Sequence, residues 1–565
     1  MQKGFVKKTL LGAPAATGIS GLRRQFNEPL YVLMAIVGLV LLIACANIAS
    51  LMLARAAARH KEIAVRQAMG ASRTRLVRQL LTECLLLSSA GALLGILFAR
   101  WGAALLVRFI STTRNLVFLD LSLDIRVLGF TAAIAALTAI LFGLLPAIQS
   151  TRVSLTSAMK GRQALESEGH SPFRGRKWIV ASQVALSLVL LVAAGLLLRS
   201  FAKLATLDIG FDSNNVLLVN ADLSVARVPE EQQLATFQEI ENRLKALPGV
   251  VSTGRSLFTP MQGGGWNQTM RTEWSNALRG DDALAWFNGI SSGFLGTLRM
   301  LILAGRNFDK RDTKTSPQVA IVNQTLARRF FPSLNPVGRT FRVDQISGQP
   351  GPPIEIVGVV RDSKYESLRE VTYATAFFPI SQVRAPVEAQ SFELRTAIRP
   401  SALVSAAQAA VADVNREIPL EFHTLAEQIS ESTVQERSLA LLSGFFGVLA
   451  LLLAMIGLYG TLSYVVTQRQ TEFGIRMALG AQPGSILRLV LREVVTILAG
   501  GVAAGVCISL ATAGVLQKML FGLGARDSAT MALAIYVLSA VAFIAGYLPA
   551  RRATKVDPMV ALRYE

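Results

Sequence analysis

Seven apolar stretches, each long enough to cross a lipid bilayer as a helix, constrain the fold of this chain more than any other feature. They lie at residues 30–54, 80–99, 127–149, 178–198, 439–466, 487–514 and 529–549. A helix needs about 20 predominantly apolar residues to cross the hydrocarbon core. Hydrophobic residues make up 52% of the chain and charged residues 17%, a balance typical of a membrane protein.

The charge of the connecting segments predicts the orientation of the chain. Arginine and lysine are concentrated in three segments, 55–78, 152–177 and 551–563. Positive loops are retained in the cytoplasm, so we expect these three segments there and residues 201–437 outside. Residues 201–437 hold 24 basic and 25 acidic residues, and the rest of the chain holds 33 and 12. The net charge of +20 therefore indicates membrane topology and not a nucleic-acid partner.

The N-terminal segment, residues 1–29, does not follow this pattern. It falls outside by the count of stretches, yet it carries Lys3, Lys7 and Lys8. A secretory signal peptide in residues 1–20 is disfavoured, because its apolar run is short and interrupted by glycine and proline. We expect a periplasmic remnant here, with one span missing upstream.

An internal repeat defines the architecture. RHKEIAVRQAMGA (59–71) and RQTEFGIRMALGA (469–481) match at an offset of 410 residues. At the same offset, Gly91 matches Gly501 and Gly95 matches Gly505. A second pair of similar segments, PAIQSTRVSLTSAMK (146–160) and PARRATKVDPMVALR (549–563), lies near the end of each repeat. A three-span module therefore occurs twice, and internal duplication is common among transporters. The predicted division is module 30–160, linker 161–177, span 178–200, outer domain 201–437 and module 438–565.

Each repeat loop carries an acid, a base four residues later and a glycine four residues after that. These residues are Glu62, Arg66 and Gly70 in the first copy, and Glu472, Arg476 and Gly480 in the second. The acid and base share one helix face, and the glycine can end the helix in a left-handed cap. One alternative is that the helix only lies on the membrane surface and pairs with anionic lipid. Two matched copies favour docking of a two-fold partner.

Glu83 and Glu493 also repeat, at the ends of apolar spans. Ionisable residues inside a membrane are functional by default, whereas near an interface they can snorkel or cap a span. Their repetition predicts a role in span packing that both modules share.

The outer domain alternates strands and helices. Strands at 215–223 and 250–258 flank a helix at 229–249, and a strand, helix and strand follow after 390. The pattern predicts a split βαβ fold with an inserted lobe at about 260–385. We also expect the helix that begins LAEQISES to continue unbroken into the span at 439.

Candidate catalytic or metal-binding residues do not cluster in the sequence. Cys45, Cys84 and Cys507 lie in apolar runs, and His60, His170 and His423 have no ligand spacing. We expect the His423 side chain to cap a strand or to satisfy polar groups of the core. GRNFDKRD (305–312) is expected to be a solvated loop. Trp266 is expected to anchor a loop or to contact a partner. The chain has no G-x-x-x-x-G-K-[ST] motif, so it cannot hydrolyse ATP by that route. We predict no catalytic residue, cofactor or metal.

The E-I-x-x-R-x-A-x-G-A loops, together with AGRNFDKRD, VAIVNQTLARRFFP and IVGVVRDSKY, resemble the MacB/FtsX group of ABC transporter permeases. The double copy is similar to the duplicated orphan permeases of acidobacteria. The resemblance implies a multi-span α-helical protein of about seven helices, built on a duplicated three-span FtsX-like module with an α+β periplasmic domain. A full duplicated member would also have a further first span and first periplasmic domain, which we expect this chain to lack.

The resemblance also implies a function and partners. The loops at 59–71 and 469–481 are similar to coupling helices that dock on a dimeric ABC ATPase, so ATP would be bound by a separate subunit. We expect a bacterial inner-membrane permease, not an enzyme, that acts in export or envelope processes and contacts the lipid bilayer and an envelope partner. A non-transport scaffold or sensor is the alternative, and an envelope hydrolase is disfavoured because no catalytic constellation is visible.

Overall fold

The computed structural model describes residues 21–58, 69, 72–110, 125–134, 136–137, 140, 172–274, 278, 280–345, 349–383 and 388–554. The chain divides into two compact units. The first comprises Met1–Lys203 and Gln435–Glu565, and the second comprises Leu204–Val434.

The helices are α1 (Gly21–Ala58), α2 (Arg73–Ile110), α3 (Ile125–Ile134), α4 (Pro172–Ala205), α5 (Glu230–Lys245), α6 (Phe294–Thr297), α7 (Gln324–Phe330), α8 (Val404–Ala412), α9 (Leu425–Ser432), α10 (Val434–Gln468), α11 (Gln470–Ala478), α12 (Pro483–Gln517) and α13 (Ser528–Ala553). The strands are β1 (Val216–Asp222), β2 (Val250–Ser256), β3 (Trp266–Arg271), β4 (Leu284–Ile290), β5 (Ile302–Gly305), β6 (Val319–Asn323), β7 (Thr340–Val343), β8 (Ile354–Val360), β9 (Thr375–Pro379), β10 (Ala389–Thr396) and β11 (Leu420–Thr424).

Six helices of the described ranges, α1, α2, α4, α10, α12 and α13, are long and apolar enough to span a membrane. This confirms the multi-span helical class. The predicted third span at 127–149 falls mostly outside the described residues, where only α3 and three further residues are placed. The count of seven spans therefore stays a prediction.

The core of the membrane unit forms where α4 packs against α10, α12 and α13. Glycines make the closest approach to α4. A Cβ added at Gly501 would lie 2.7 Å from the Val184 side chain, and one at Gly505 would lie 2.9 Å from the Ala185 carbonyl oxygen. Small residues one turn apart allow two membrane helices to come close enough for van der Waals packing.

The first part of the soluble unit is the predicted split βαβ fold. Its strands follow the order β11-β1-β10-β2, and β10 is antiparallel to both β1 and β2. The strands β1 and β2 therefore run parallel with β10 between them. Phe237 of α5 and Ala407 of α8 pack with Phe392 of β10 in one apolar core.

The inserted lobe closes into a six-stranded barrel. Its strands pair in the cyclic order β4-β3-β7-β8-β6-β9, and β9 pairs back with β4. The predicted strands at 319–323 and 354–362, and the helix between them, correspond to β6, β8 and α7. Closure satisfies strand edges that would otherwise expose unpaired backbone groups.

The prediction of one unbroken helix from LAEQISES into the span is wrong. The structure breaks it at Thr433, where φ is −111°, so that α9 and α10 are separate helices. The Thr433 hydroxyl donates to the Ser430 carbonyl oxygen at 2.9 Å. Such local hydrogen bonds compete with a continuing helix in a Ser/Thr-rich segment.

Candidate coupling helix

The second repeat loop forms a short helix, α11, held against the ends of three membrane helices. Its side chain Phe473 is 0% exposed. It packs with Val466 of α10, Ile486 of α12 and Ala550 of α13. The Glu–Arg motif is therefore anchored by an aromatic residue that lies directly beside Glu472 in the sequence.

The two charged residues of the motif form the predicted pair on the open face of α11. An Arg476 guanidinium nitrogen lies 2.8 Å from a Glu472 carboxylate oxygen, and the two side chains are 47% and 42% exposed. An exposed pair of this spacing contributes only about 0.3–0.5 kcal/mol to stability. Leu479 is 83% exposed on the same short segment. The pair and the leucine thus form a small surface of mixed polarity that the fold does not need for its own packing.

Gly480 ends α11 in the left-handed conformation that the sequence predicts, with φ of +93°. The Gly480 N–H donates to the Met477 carbonyl at 3.0 Å, and the Ala481 N–H donates to the Arg476 carbonyl at 2.9 Å. These two bonds define a Schellman cap. A side chain at 480 would strain this conformation.

Glu493 joins three elements at the base of α11. Its carboxylate lies 2.6 Å from the Lys177 ammonium of α4 and 3.8 Å from the guanidinium of Arg469, which directly precedes α11. Its side chain is only 13% exposed. Sequence reasoning missed both partners, although each is a basic residue at the end of an apolar run.

The first repeat loop cannot be compared directly, because Glu62, Arg66 and Gly70 lie outside the described residues. Glu83 lies on α2 and is half-buried. The docking role of both loops, and the packing role of Glu83 and Glu493, stay predictions.

Other residues singled out in the sequence have structural roles. His423 Nε2 lies 2.8 Å from Gln428 Oε1, and Cys45 and Cys507 are free thiols. Within the described ranges, no three His, Cys, Asp or Glu residues cluster as metal ligands.

The expectation of a solvated loop at 305–312 is wrong for Asp312, which is buried and accepts two hydrogen bonds from Arg306 at 2.8 and 2.9 Å. These hydrogen bonds lower the pKa of Asp312.

A buried polar cluster in the soluble unit was not predicted. Glu393 of β10 is fully buried and accepts a hydrogen bond from the Ser256 hydroxyl at 2.6 Å. The guanidinium of Arg255 lies 3.4 Å from Glu241. Burial raises the pKa of Glu393 to about 8, despite the lowering effect of Ser256 and Arg255, and the negative charge of Glu241 adds to the increase. The carboxyl group therefore retains its proton at neutral pH.

The architecture is that of a multi-pass helical membrane protein with an α+β soluble domain, and comparison with known families identifies it further. Residues 179–414 match the MacB-like periplasmic core domain, and residues 34–155 and 444–558 match the FtsX-like permease C-terminal domain. The chain belongs to the MacB/FtsX type of ABC transporter permeases.

Two curated relatives and one solved structure are similar to parts of the chain. The macrolide export ATP-binding/permease protein MacB of Acinetobacter baylyi is 26% identical over 50% of this chain and 43% of its own length. The permease YknZ of Bacillus subtilis is 26% identical over 61% of this chain and 83% of its own length. The periplasmic region of MacB from Actinobacillus actinomycetemcomitans aligns with a TM-score of 0.27 at 12% identity, over 40% of this chain and 94% of that structure. The chain spans less than half the length of the MacB relative it matches.

Proposed function

We propose that the chain is the membrane subunit of an ABC-type transport or mechanotransmission complex that a separate ATPase drives. The ATPase docks on two coupling helices, residues 59–71 and α11. The observation that carries this proposal is the arrangement of α11, whose Phe473 is buried while Arg476 and Leu479 are exposed and Glu472 is half-buried. The chain has no P-loop of its own, and its relatives include proteins named as ATP-binding permeases.

The contacts of α11 explain how docking could be transmitted. A force on α11 reaches α10, α12 and α13 through Phe473, and reaches α4 through Glu493 and Lys177. The apolar and ionic contacts hold α11 at two separate points, so it moves together with the helix ends. The ATPase thereby displaces membrane helices without touching their apolar surfaces.

The proposal includes the orientation and division predicted from charge. The repeat loops and the C-terminus face the cytoplasm, residues 201–437 face the periplasm, and the domain boundaries are those predicted from the repeat. Relatives are named for export of macrolides and of pyoverdine. For this chain we propose action in export or envelope processes, with no catalysis by the chain itself.

Site-specific crosslinking tests the docking role. A photoreactive residue at Leu479 should form an adduct with a P-loop ATPase in native membranes. The double charge reversals E472R/R476E and E62R/R66E, combined, should abolish the adduct and the co-purification of that ATPase. The matched control is E239R/R243E, which reverses an exposed pair of the same spacing on α5.

Two outcomes decide between the hypotheses. An ATPase that co-purifies equally with the reversed and the control variant contradicts docking on these helices. A physiological function that persists in cells with no associated ATPase favours the scaffold or sensor.

A further inference from the structure

One end of the six-stranded barrel is an open cavity of about 550 Å³. Its lining includes residues of β3, β4, β7, β8 and β9, and Gln318 directly before β6. Five of the six strands, and the residue directly before the sixth, thus contribute to one mouth. Cavities of about 300–1,000 Å³ are typical of small-molecule sites, and barrel mouths are one of their preferred locations.

Three aromatic rings form the apolar wall of this mouth. The ring centroid of Phe287 lies 5.9 Å from that of Trp266 and 5.4 Å from that of Phe378. The rings of Trp266 and Phe378 are nearly parallel. Phe287 is buried, whereas Trp266 and Phe378 are half-buried and line the cavity. Aromatic rings favour flat apolar groups in offset or edge contact.

Polar side chains are placed within this apolar surface. Side chains alternate along a strand, so Gln268 shares the inward face of β3 with Trp266 and the buried Met270. The side-chain amides of Gln268 and Gln318 form no hydrogen bond with any described residue. A half-buried amide at an inward position offers a donor and an acceptor to a ligand.

The charges at the mouth are already paired. Asp344 accepts two hydrogen bonds from Arg271, both at 2.7 Å. The Gln382 amide is also engaged, because it accepts from the Val319 N–H at 3.0 Å and donates to the Pro317 carbonyl at 3.1 Å. The mouth therefore presents aromatic surface and the neutral amides of Gln268, Gln318 and Gln345, without a spare counter-charge among the described lining residues.

We propose that this barrel mouth binds an uncharged small molecule that has a flat apolar ring and amide or hydroxyl groups. A peptide added as a strand fits less well, because the barrel is closed and strand addition requires a free sheet edge. Ligand binding here is independent of the ATPase and of α11. Failure of one proposal therefore leaves the other unaffected.

Fluorine NMR of the full-length protein in lipid nanodiscs tests the site. The probe is N-acetyl-5-fluorotryptophanamide, which is neutral and carries two amides, and the comparison compound is the N-acetyl-5-fluorotryptophan anion. We expect the protein to broaden the resonance of the neutral probe more than that of the anion. Q268L/Q318L should weaken binding of the neutral probe about tenfold, as expected for the loss of two neutral hydrogen bonds.

Two controls separate the cavity from the lipid and from misfolding. Q232L changes an exposed glutamine of α5 and should leave the broadening unchanged. In Q268C, the neutral probe should slow thiol labelling at position 268. Equal broadening by both compounds in all variants, or labelling of Q268C at the same rate with and without the probe, would overturn the proposal.

Discussion

The two copies of the permease module share a sequence pattern, and their described residues differ in packing. In the second copy, Gly501 and Gly505 of α12 lie against α4, and an added Cβ at either would clash. In the first copy, a Cβ added at Gly91 or Gly95 of α2 would meet nothing within 4 Å among the described residues. The apolar part of α2 is correspondingly unburied, with Leu93 and Leu97 largely exposed. A helix face of small residues thus allows close packing, and the position of the neighbouring helix decides whether close packing occurs.

The largest expected effect concerns the aromatic anchor of α11. Phe473→Ala should destabilise the second module by about 3–5 kcal/mol, because it removes a fully buried ring from the contact of α11 with three helices. Hydrogen exchange of residues 469–481 should rise strongly. Ile475→Ala, at an exposed position of the same helix, should change little.

The equivalent position in the first copy, Ile63, sharpens the comparison. If the two loops are anchored alike, Ile63→Ala should raise exchange in residues 59–71. No rise there would show that the copies differ at the loop as well as at the glycine face.

The glycine faces can be compared by one substitution made in each copy. Gly501→Val should destabilise the protein by about 1–3 kcal/mol, because its side chain would overlap Val184 and the Ala181 carbonyl. Gly91→Val should cost less than 1 kcal/mol. Thermal unfolding in detergent measures both, and equal losses would break the comparison.

The repeated glutamates provide a smaller effect. Glu493→Gln should reduce stability by about 1 kcal/mol, because it removes the charge that Lys177 and Arg469 share. High salt should diminish the difference from the wild type. Glu83→Gln, measured in the same way, shows whether the first copy has a comparable ionic contact.

The soluble unit serves as a reference outside both modules. The pKa of Glu393 is raised to about 8, so between about pH 5 and pH 8 the folded unit holds a proton that the unfolded chain releases. Its stability should therefore fall as pH rises through this window, by at most about 1.4 kcal/mol per pH unit. Glu393→Gln should remove that slope. A slope that persists in E393Q would show that another group dominates.

The sequence by itself determined the features that depend on residues close along the chain. Apolar runs predicted the helices, the four-residue spacing predicted the Glu472–Arg476 pair, and Gly480 predicted the cap. The strand-like segments VAIVN and IEIVGVVRD likewise predicted β6 and β8. Each of these is decided by local geometry within a few residues.

Only the tertiary structure decided which distant residues meet. It placed Lys177 beside Glu493, packed Gly501 closely against α4, and closed six strands into a barrel with a cavity at one end. The physical reason is that burial and pairing depend on which surfaces face each other, and neither propensity nor period specifies the partner of a face.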